Sequence, residues 1–272
     1  MIIAELCGNH DGNKNTLWAM IDAAAEAGAN IIKIQTFFAD DLNDSWRGKD
    51  YERIKRLEIN WEEHKAFVDF CRARDVIPMT SVYSTKHIQN LYECGFTHIK
   101  IGSAQSSNEE LLKTYVATGF KVIMSTGGRL HLKELPRLGP IAGVLHCVSK
   151  YPHSPYEANL KRMLDIRRYW PNEAIGFSDH SDPLHEEWDF ASKSALVLGA
   201  TYVERHFTVV DRSLTKDGPV SIGVGQLKEL CRFDKLPFMK KLEEMPILGT
   251  FHSRQNQDEI DLIKHYETRW KE

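Results

Sequence analysis

The chain has no apolar run near the roughly 18 to 20 residues needed to cross a bilayer, and it enters Ile2-Ile3-Ala4 without a basic segment or a signal-peptide pattern. No membrane partner is expected, and a cytoplasmic protein is. Positive charge is not in excess either: 35 Lys and Arg face 38 Asp and Glu, a formal net charge of −3, and the basic residues are spread rather than clustered. A nucleic-acid partner is not expected of such a surface. Cysteine is sparse. Cys7, Cys71, Cys94, Cys147 and Cys231 are odd in number and widely spaced, with no C-x-x-C pair, so no disulfide framework is expected. They read as reduced, buried small hydrophobes, although Cys7 and Cys147 fall near strand ends, where a nucleophilic role is the alternative to packing. There is no G-x-G-x-x-G motif, no P-loop, no low-complexity tract and no internal repeat longer than a single strand–helix unit.

What the chain does have is a regular beat of short apolar runs and amphipathic segments. Strands are expected at Ile2–Leu6, Ile31–Gln35, Ile77–Val82, Thr97–Ile101, Lys121–Ser125, Gly143–Cys147, Ala174–Phe177 and Tyr202–Arg205. Between them Leu17, Met20, Ile21 and Ala24 fall at helical spacing, as do Leu111, Leu112, Tyr115 and Val116, and Trp188, Ala191, Ala195 and Leu198. Helix starts are expected at Asn60 with Glu63, at Ser107 with Glu110, and at Asp182 before Pro183. Eight βα units in 272 residues predict an α/β protein whose sheet closes into a (β/α)8 TIM barrel over residues 1–248. Residues 249–272 are expected to form a tail with a short amphipathic helix, packed on the barrel or on a neighbouring subunit. The stretch from Phe38 to Glu58 is charged, aromatic and non-periodic, and reads as a substrate-facing loop or a solvated insertion.

In such a barrel the reactive side chains come from the carboxyl ends of the strands. Those ends carry Glu5, Lys33, Gln35, Thr80, Ser81, Lys100, Ser103, Ser125, Thr126 and the pair Gly127-Gly128, then Ser149, Tyr151, Ser178, His180 and His206. Two imidazoles on neighbouring strands can hold one divalent ion and leave positions for water and substrate. The alternative is two unrelated histidines, since the chain has 12. Two inward lysines are costly to bury without anions. With hydroxyls and a Gly-Gly turn exposing backbone N–H groups they describe a phosphate and carboxylate cradle; either lysine alone could instead snorkel to solvent, or form a Schiff base as in a lysine aldolase.

Eight segments in matching order resemble the N-acetylneuraminate (sialic acid) synthase family. They are Ile3-Ala-Glu-Leu-Cys-Gly-Asn-His-Asp-Gly12, Ile32-Lys-Ile-Gln-Thr-Phe37, His98-Ile-Lys-Ile-Gly-Ser103, Ile123-Met-Ser-Thr-Gly127, Leu145-His-Cys-Val-Ser-Lys-Tyr-Pro152, Asn159-Leu160, Ile175-Gly-Phe-Ser-Asp-His180 and Val203-Glu-Arg-His-Phe-Thr208. The resemblance spans residues 3 to about 230. It implies a (β/α)8 barrel that condenses phosphoenolpyruvate with an open-chain aldose or N-acyl-aminosugar, releases phosphate and makes a 2-keto-3-deoxy sugar acid. It implies that Lys33, Thr80, Lys100, Ser103, Ser125, Ser149, Ser178 and His180 hold phosphoenolpyruvate, that His180 and His206 hold Mn2+ or Mg2+, and that Glu5, Tyr151 and Asp217 face the sugar. The resembled family forms homodimers through swapped second domains, which leaves a homo-oligomer, a different dimer or none open for this chain.

The chain departs from the family at several points. Gln105 stands where the family has a glutamate, so a catalytic role at that position has no carboxylate: either it passes to Glu5, Asp217 or a substrate group, or the reaction differs. Thr80-Ser-Val-Tyr83 replaces the family's Thr-Pro-Phe-Asp, and the 38–58 stretch replaces its asparagine-containing loop. The length is that of a short form without the family's C-terminal antifreeze-like domain, whose arginine Arg254 or Arg269 would have to replace. Asp217, in an Asp-Gly-Pro setting, equally reads as a turn residue. The function expected is the synthase; the alternative is a non-catalytic barrel serving as a binding or assembly subunit.

Overall fold

A computed structural model describes residues 1–127, 132–136 and 139–245. Eight parallel strands close in chain order, β1 (Ile2–Glu5), β2 (Ile31–Thr36), β3 (Ile77–Val82), β4 (His98–Ile101), β5 (Lys121–Ser125), β6 (Gly143–Cys147), β7 (Ala174–Asp179) and β8 (Tyr202–His206), with β8 paired back on β1. The helices are α1 (Lys14–Glu26), α2 (Asp44–Leu57), α3 (Trp61–Arg72), α4 (Ile88–Cys94), α5 (Glu109–Ala117), α6 (Lys161–Tyr169), α7 (Phe190–Val197), α8 (Val224–Asp234) and α9 (Phe238–Glu244). Among the described residues no helix is long and apolar enough to cross a membrane.

Strand parity divides the molecule into two cores. Outward residues such as Ile2, Ile32, Ile34 and Val82 pack with helix residues such as Leu17, Ile21 and Phe67 into one cluster, each fully buried aliphatic side chain contributing about 1.5–3 kcal/mol. Inward residues Ile3, Ile31, Met79, Ile123 and Leu145 form a separate apolar plug. Two residues further along the same strands stand Glu5, Lys33, Ser81, Ser125 and Cys147, so the plug is the floor beneath a polar layer.

β7 and β8 are further tied by a fully buried ion pair, Asp179 Oδ2 to Arg205 Nη1 at 2.8 Å, with Ser192 Oγ donating to the same carboxylate oxygen. Arg205 also donates to Ser181 Oγ and to the Ser181 carbonyl. The pair fixes the two residues that follow it, His180 and His206.

Asn60 and Glu63 form the expected capping box at the start of α3. The other two helix starts differ. Asn108, not Ser107, caps α5, because its side chain accepts from the Leu111 N–H. Asp182 accepts instead from Leu184 N–H in a local turn, and the chain runs in turns until α7 begins at Phe190. The 38–58 stretch is helical rather than a loop, with one face buried and the other solvated. A 3-10 turn at Ala39–Asp41 and the 14-residue α2 occupy it, and Phe37, Ala39, Leu42, Ile54 and Leu57 bury together. The expected tail at 249–272, with Arg254 and Arg269, lies outside the described residues.

Several histidines are buried as neutral rings away from the barrel mouth. His64 donates from Nδ1 to the Asn60 carbonyl and His146 from Nε2 to the Ala158 carbonyl. Burial lowers both pKa values from 6.5 to about 4, and those hydrogen bonds only partly oppose it. A base whose folded pKa is depressed contributes fully above its unfolded pKa and loses that contribution as pH falls toward the folded one. Stability is therefore expected to decline between pH 6.5 and 4, each ring contributing on the order of 1–3 kcal/mol. Urea unfolding at stepped pH checks this: His146→Gln should flatten the slope by up to about one proton, and an unchanged slope would refute the assignment.

Candidate active site

Period-two geometry puts one inward residue from each strand into a single layer above the apolar plug: Glu5, Lys33, Ser81, Lys100, Ser125, Cys147, Ser178 and Glu204. They line a cavity of about 490 Å3 at the carboxyl end of the barrel, where ligands bind in this fold. Lys33 forms an ion pair with Glu5 Oε2, sits 3.7 Å from Glu204 Oε2 and donates to Ser81 Oγ at 2.8 Å. Lys100 sits 3.6 Å from Glu204 Oε1 and donates to Ser125 Oγ at 2.7 Å. Glu204 also accepts from Ser178 Oγ at 2.9 Å.

Electrostatics follow from this packing. Burial works against the Lys33 ammonium, but Glu204 and Glu5 outweigh it and hold its pKa above the ordinary value. Lys100 is shifted down by burial, with Glu204 opposing. Burial also opposes the Glu204 carboxylate, yet Lys100, Lys33 and the Ser178 hydrogen bond bring it down to about 2. Glu5 behaves oppositely: burial pushes its carboxyl up to about 7, Lys33 only partly countering.

Beyond this layer the strand ends add the remaining groups. The Gly127 N–H donates to Ser103 Oγ at 3.1 Å. A Cβ at Gly127 would come within 2.4 Å of Ser149 Oγ and 2.8 Å of Ser103 Oγ, so hydroxyls and bare backbone surround a gap that only glycine leaves open. Gly128 lies outside the described residues. Gln105 is buried in a 3-10 turn after β4, and its Nε2 has no hydrogen-bond partner. His180 donates from Nδ1 to the Val148 carbonyl at 2.9 Å, which leaves Nε2 as the ring's lone-pair nitrogen. Its ring centre is 5.2 Å from that of His206, and Tyr151 stacks on it at 4.0 Å. Burial, then the neighbouring His206, holds His180 well below 6.5, and burial brings His206 to about 3. Both rings are neutral at physiological pH. His206 Nδ1 is buried with no hydrogen-bond partner. Cys7 holds a positive φ of 42° directly after β1, and ligand atoms of Cys7, His206 and Asp217 lie within 4.8 Å of one another. Burial, with Asp217 and Glu5 nearby, pushes the Cys7 thiol well up, which keeps it protonated and a weak partner for a hard cation.

The structure therefore brings Glu5, Lys33, Lys100, Ser103, Gln105, Ser125, Ser149, Tyr151, Ser178, His180, His206 and Asp217 to one cavity. Thr80 is the correction. One position out of phase with Ser81, it faces the helices, and its hydroxyl meets Thr36 Oγ1 at 2.7 Å, which in turn meets His64. Ser81 occupies the inward place expected of it. Glu204 is the residue that reading the sequence missed; stepping back two from His206 along β8 would have found it. Arg53, Ile54 and Leu57 of α2 also line the cavity, and no periodicity had marked them.

Comparison with known proteins places these features in context. A profile of the NeuB family matches residues 20–235. The Bacillus subtilis spore coat polysaccharide biosynthesis protein SpsE is 32% identical over 246 residues, covering 84% of this chain, which spans 65% of that protein's length. N,N'-diacetyllegionaminic acid synthase of Campylobacter jejuni is 28% identical over 253 residues, covering 85% of this chain and 74% of that protein. Among solved structures, an N-acetylneuraminic acid (sialic acid) synthetase from Leptospira borgpetersenii in complex with citrate superposes with a TM-score of 0.75 at 26% identity, covering 97% of this chain and 90% of that one.

Proposed function

This chain belongs to the NeuB family, and from that premise we propose that it condenses phosphoenolpyruvate with an open-chain aldose or N-acyl-aminosugar to give a 2-keto-3-deoxy sugar acid and phosphate. The observation that carries the reading is the pair of buried lysines, Lys33 and Lys100, each within 4 Å of Glu204 in a ring of hydroxyls beside two neutral imidazoles. That is a receptor for a small, multiply charged anion next to an electrophile site.

In this reading Lys33 and Lys100, with Ser103, Ser125, Ser149 and the Gly127 backbone, receive the phosphate and carboxylate of phosphoenolpyruvate. Its enol carbon bonds to the aldehyde carbon, whose oxygen takes up a proton. Water adds to the resulting cationic carbon, and the carbon–oxygen bond to phosphate breaks, releasing phosphate with its bridging oxygen. Glu5, whose carboxyl is raised toward neutrality by burial, holds or releases a proton in this sequence. Gln105 cannot, and its orphan Nε2 donates a hydrogen bond to a substrate oxygen instead. Lys33, held as an ammonium, is poorly suited to the Schiff-base alternative.

The donors at the mouth fit a divalent cation, Mn2+ or Mg2+. His206 Nδ1 is orphaned, His180 has its tautomer set by Val148, and Asp217 supplies a carboxylate within reach of His206. When bound, such an ion supplies Lewis-acid polarisation of the aldehyde oxygen.

The test is phosphate release from phosphoenolpyruvate with Mn2+ across a panel of aldoses and N-acyl-aminosugars. Release is expected with one acceptor class only, at a rate at least about 100-fold above the sugar-free rate, the scale of positioned acid–base help alone. Binding of phosphoenolpyruvate and Mn2+ without release for any acceptor would replace the synthase with the non-catalytic subunit.

A further inference from the structure

The proposed reaction uses the barrel residues and leaves the wall formed by α2 without a role. That helix is fixed in place. Its buried residues Ile54 and Leu57 pack with Phe37, Ala39 and Leu42, and its last turn is clamped to the β1–α1 loop, where Arg56 Nη2 pairs with Asp11 Oδ1 at 2.8 Å. Gly12, at φ +81°, permits that approach, because a Cβ there would lie 2.6 Å from the Arg56 carbonyl oxygen.

Arg53 stands one turn before Leu57 on the same face and lines the cavity. Its Nε donates to Asp50 Oδ1 at 3.2 Å, which anchors the guanidinium, while its Nη2 is buried with no hydrogen-bond partner. Leu57 marks where α2 meets the reaction centre. A Cβ placed at Gly8 would touch Leu57 Cδ1 at 3.1 Å and lie 4.0 Å from Asp217 Oδ2, and Asp217 and His206 offer ligand atoms within 4.8 Å of each other. A chain-shaped substrate with its aldehyde at His206 that runs past Asp217 therefore reaches α2 and Arg53.

We infer that Arg53 anchors the far end of the acceptor, and that the acceptor is an aldose carrying an anionic oxygen group, a phosphate ester or a carboxylate, at the end remote from its aldehyde. The inference rests on the synthase reading above. A guanidinium is permanently charged, and its planar fork matches anionic oxygens; Asp50 pairs with it through Nε at 3.2 Å, and its Nη2 is left without an acceptor. Asp50 already satisfies Nε, so the Nη edge is the part offered to a ligand.

Three acceptors separate the cases: N-acetylmannosamine, its 6-phosphate, and mannuronic acid. One of the two anionic acceptors is expected to exceed the neutral one at least tenfold in kcat/KM, phosphate ester and carboxylate being distinguished by which does. Arg53→Gln should raise KM for that acceptor tenfold or more, leave KM for phosphoenolpyruvate within twofold and abolish the preference; Arg53→Lys should recover part of it. Preference for the neutral sugar, or an equal effect of Arg53→Gln on both classes, overturns the inference and leaves the synthase standing. If no acceptor releases phosphate, the synthase reading fails, and calorimetric titration with the two anionic aldoses still decides the subsite. Binding lost in Arg53→Gln supports it, and no binding to the wild type overturns it.

Discussion

Replacing His206 by alanine is expected to reduce phosphate release at least about 1000-fold, a barrier change of roughly 4 kcal/mol, and to abolish tight Mn2+ binding while leaving the fold intact. The physical reason is local. His206 is the last residue of β8, its Nδ1 is buried and orphaned, and burial keeps it neutral, the state in which an imidazole binds a cation. It contributes no hydrogen bond whose loss would unfold the barrel, so the melting temperature should move by only a few degrees. Mn2+ titration by electron paramagnetic resonance, beside the phosphate assay, is the check. His180→Ala should behave differently: it removes a nitrogen donor and also releases the Val148 carbonyl and the Tyr151 ring, so both Mn2+ affinity and phosphoenolpyruvate KM should suffer. Full Mn2+ affinity in His206→Ala would remove that residue from the metal set and leave Cys7, His180 and Asp217 to account for any metal bound.

Glu204→Gln is expected to lower the stability of the ligand-free protein by about 3–5 kcal/mol, the usual cost of stripping one partner from a buried ion pair. The amide keeps the shape of the side chain and can still accept from Ser178, so the substitution isolates charge. Two buried ammoniums, each within 4 Å of Glu204, are left with Glu5 alone, a carboxyl that burial drives toward its neutral form. The melting temperature should fall by roughly 6–20 °C. Inorganic phosphate, supplying the missing negative charge, should raise it more in the variant than in the wild type. Equal phosphate shifts in the two proteins, or an unchanged melting temperature, would mean that Glu204 does not balance the lysines. Activity should drop as well, because without Glu204 burial shifts Lys100 further toward its neutral form, which binds phosphate poorly.

Much of this arrangement was legible before any coordinates. Strands read from apolar runs such as Ile31–Gln35 and Lys121–Ser125 stand within a residue or two of where they are found, and the order of eight βα units predicts a closed barrel. Lys33, Lys100 and the paired histidines announced themselves because charged and polar residues interrupted otherwise apolar strands at the same relative place. Parity decided the rest, and it was not read strictly enough. Thr80 and Ser81 are adjacent hydroxyls, and only the registration of β3 against Lys33 and Lys100 says which one faces in. Glu204 was hidden in the same way, as one charged residue in the run Glu204-Arg205-His206, where alternate members face opposite sides: Glu204 and His206 toward the cavity, Arg205 toward Asp179.

By itself, then, the sequence determined the fold and the chemical character of the cavity, because hydrophobic periodicity and strand-end composition are local properties that short-range geometry turns into structure. Three things only the tertiary structure decided. The 38–58 stretch has too little apolar periodicity to declare itself a helix, and α2 forms there because Ile54 and Leu57 find partners in Phe37, Ala39 and Leu42. Asp217 was equally a turn residue until packing set it beside Cys7 and His206, more than two hundred and about ten residues away along the chain. The ionisation states of Glu5 and Glu204, two carboxyls against the same lysines, diverge because burial wins at one and the lysines win at the other. That balance depends on distances among β1, β2, β4 and β8, and it exists only once the barrel has closed.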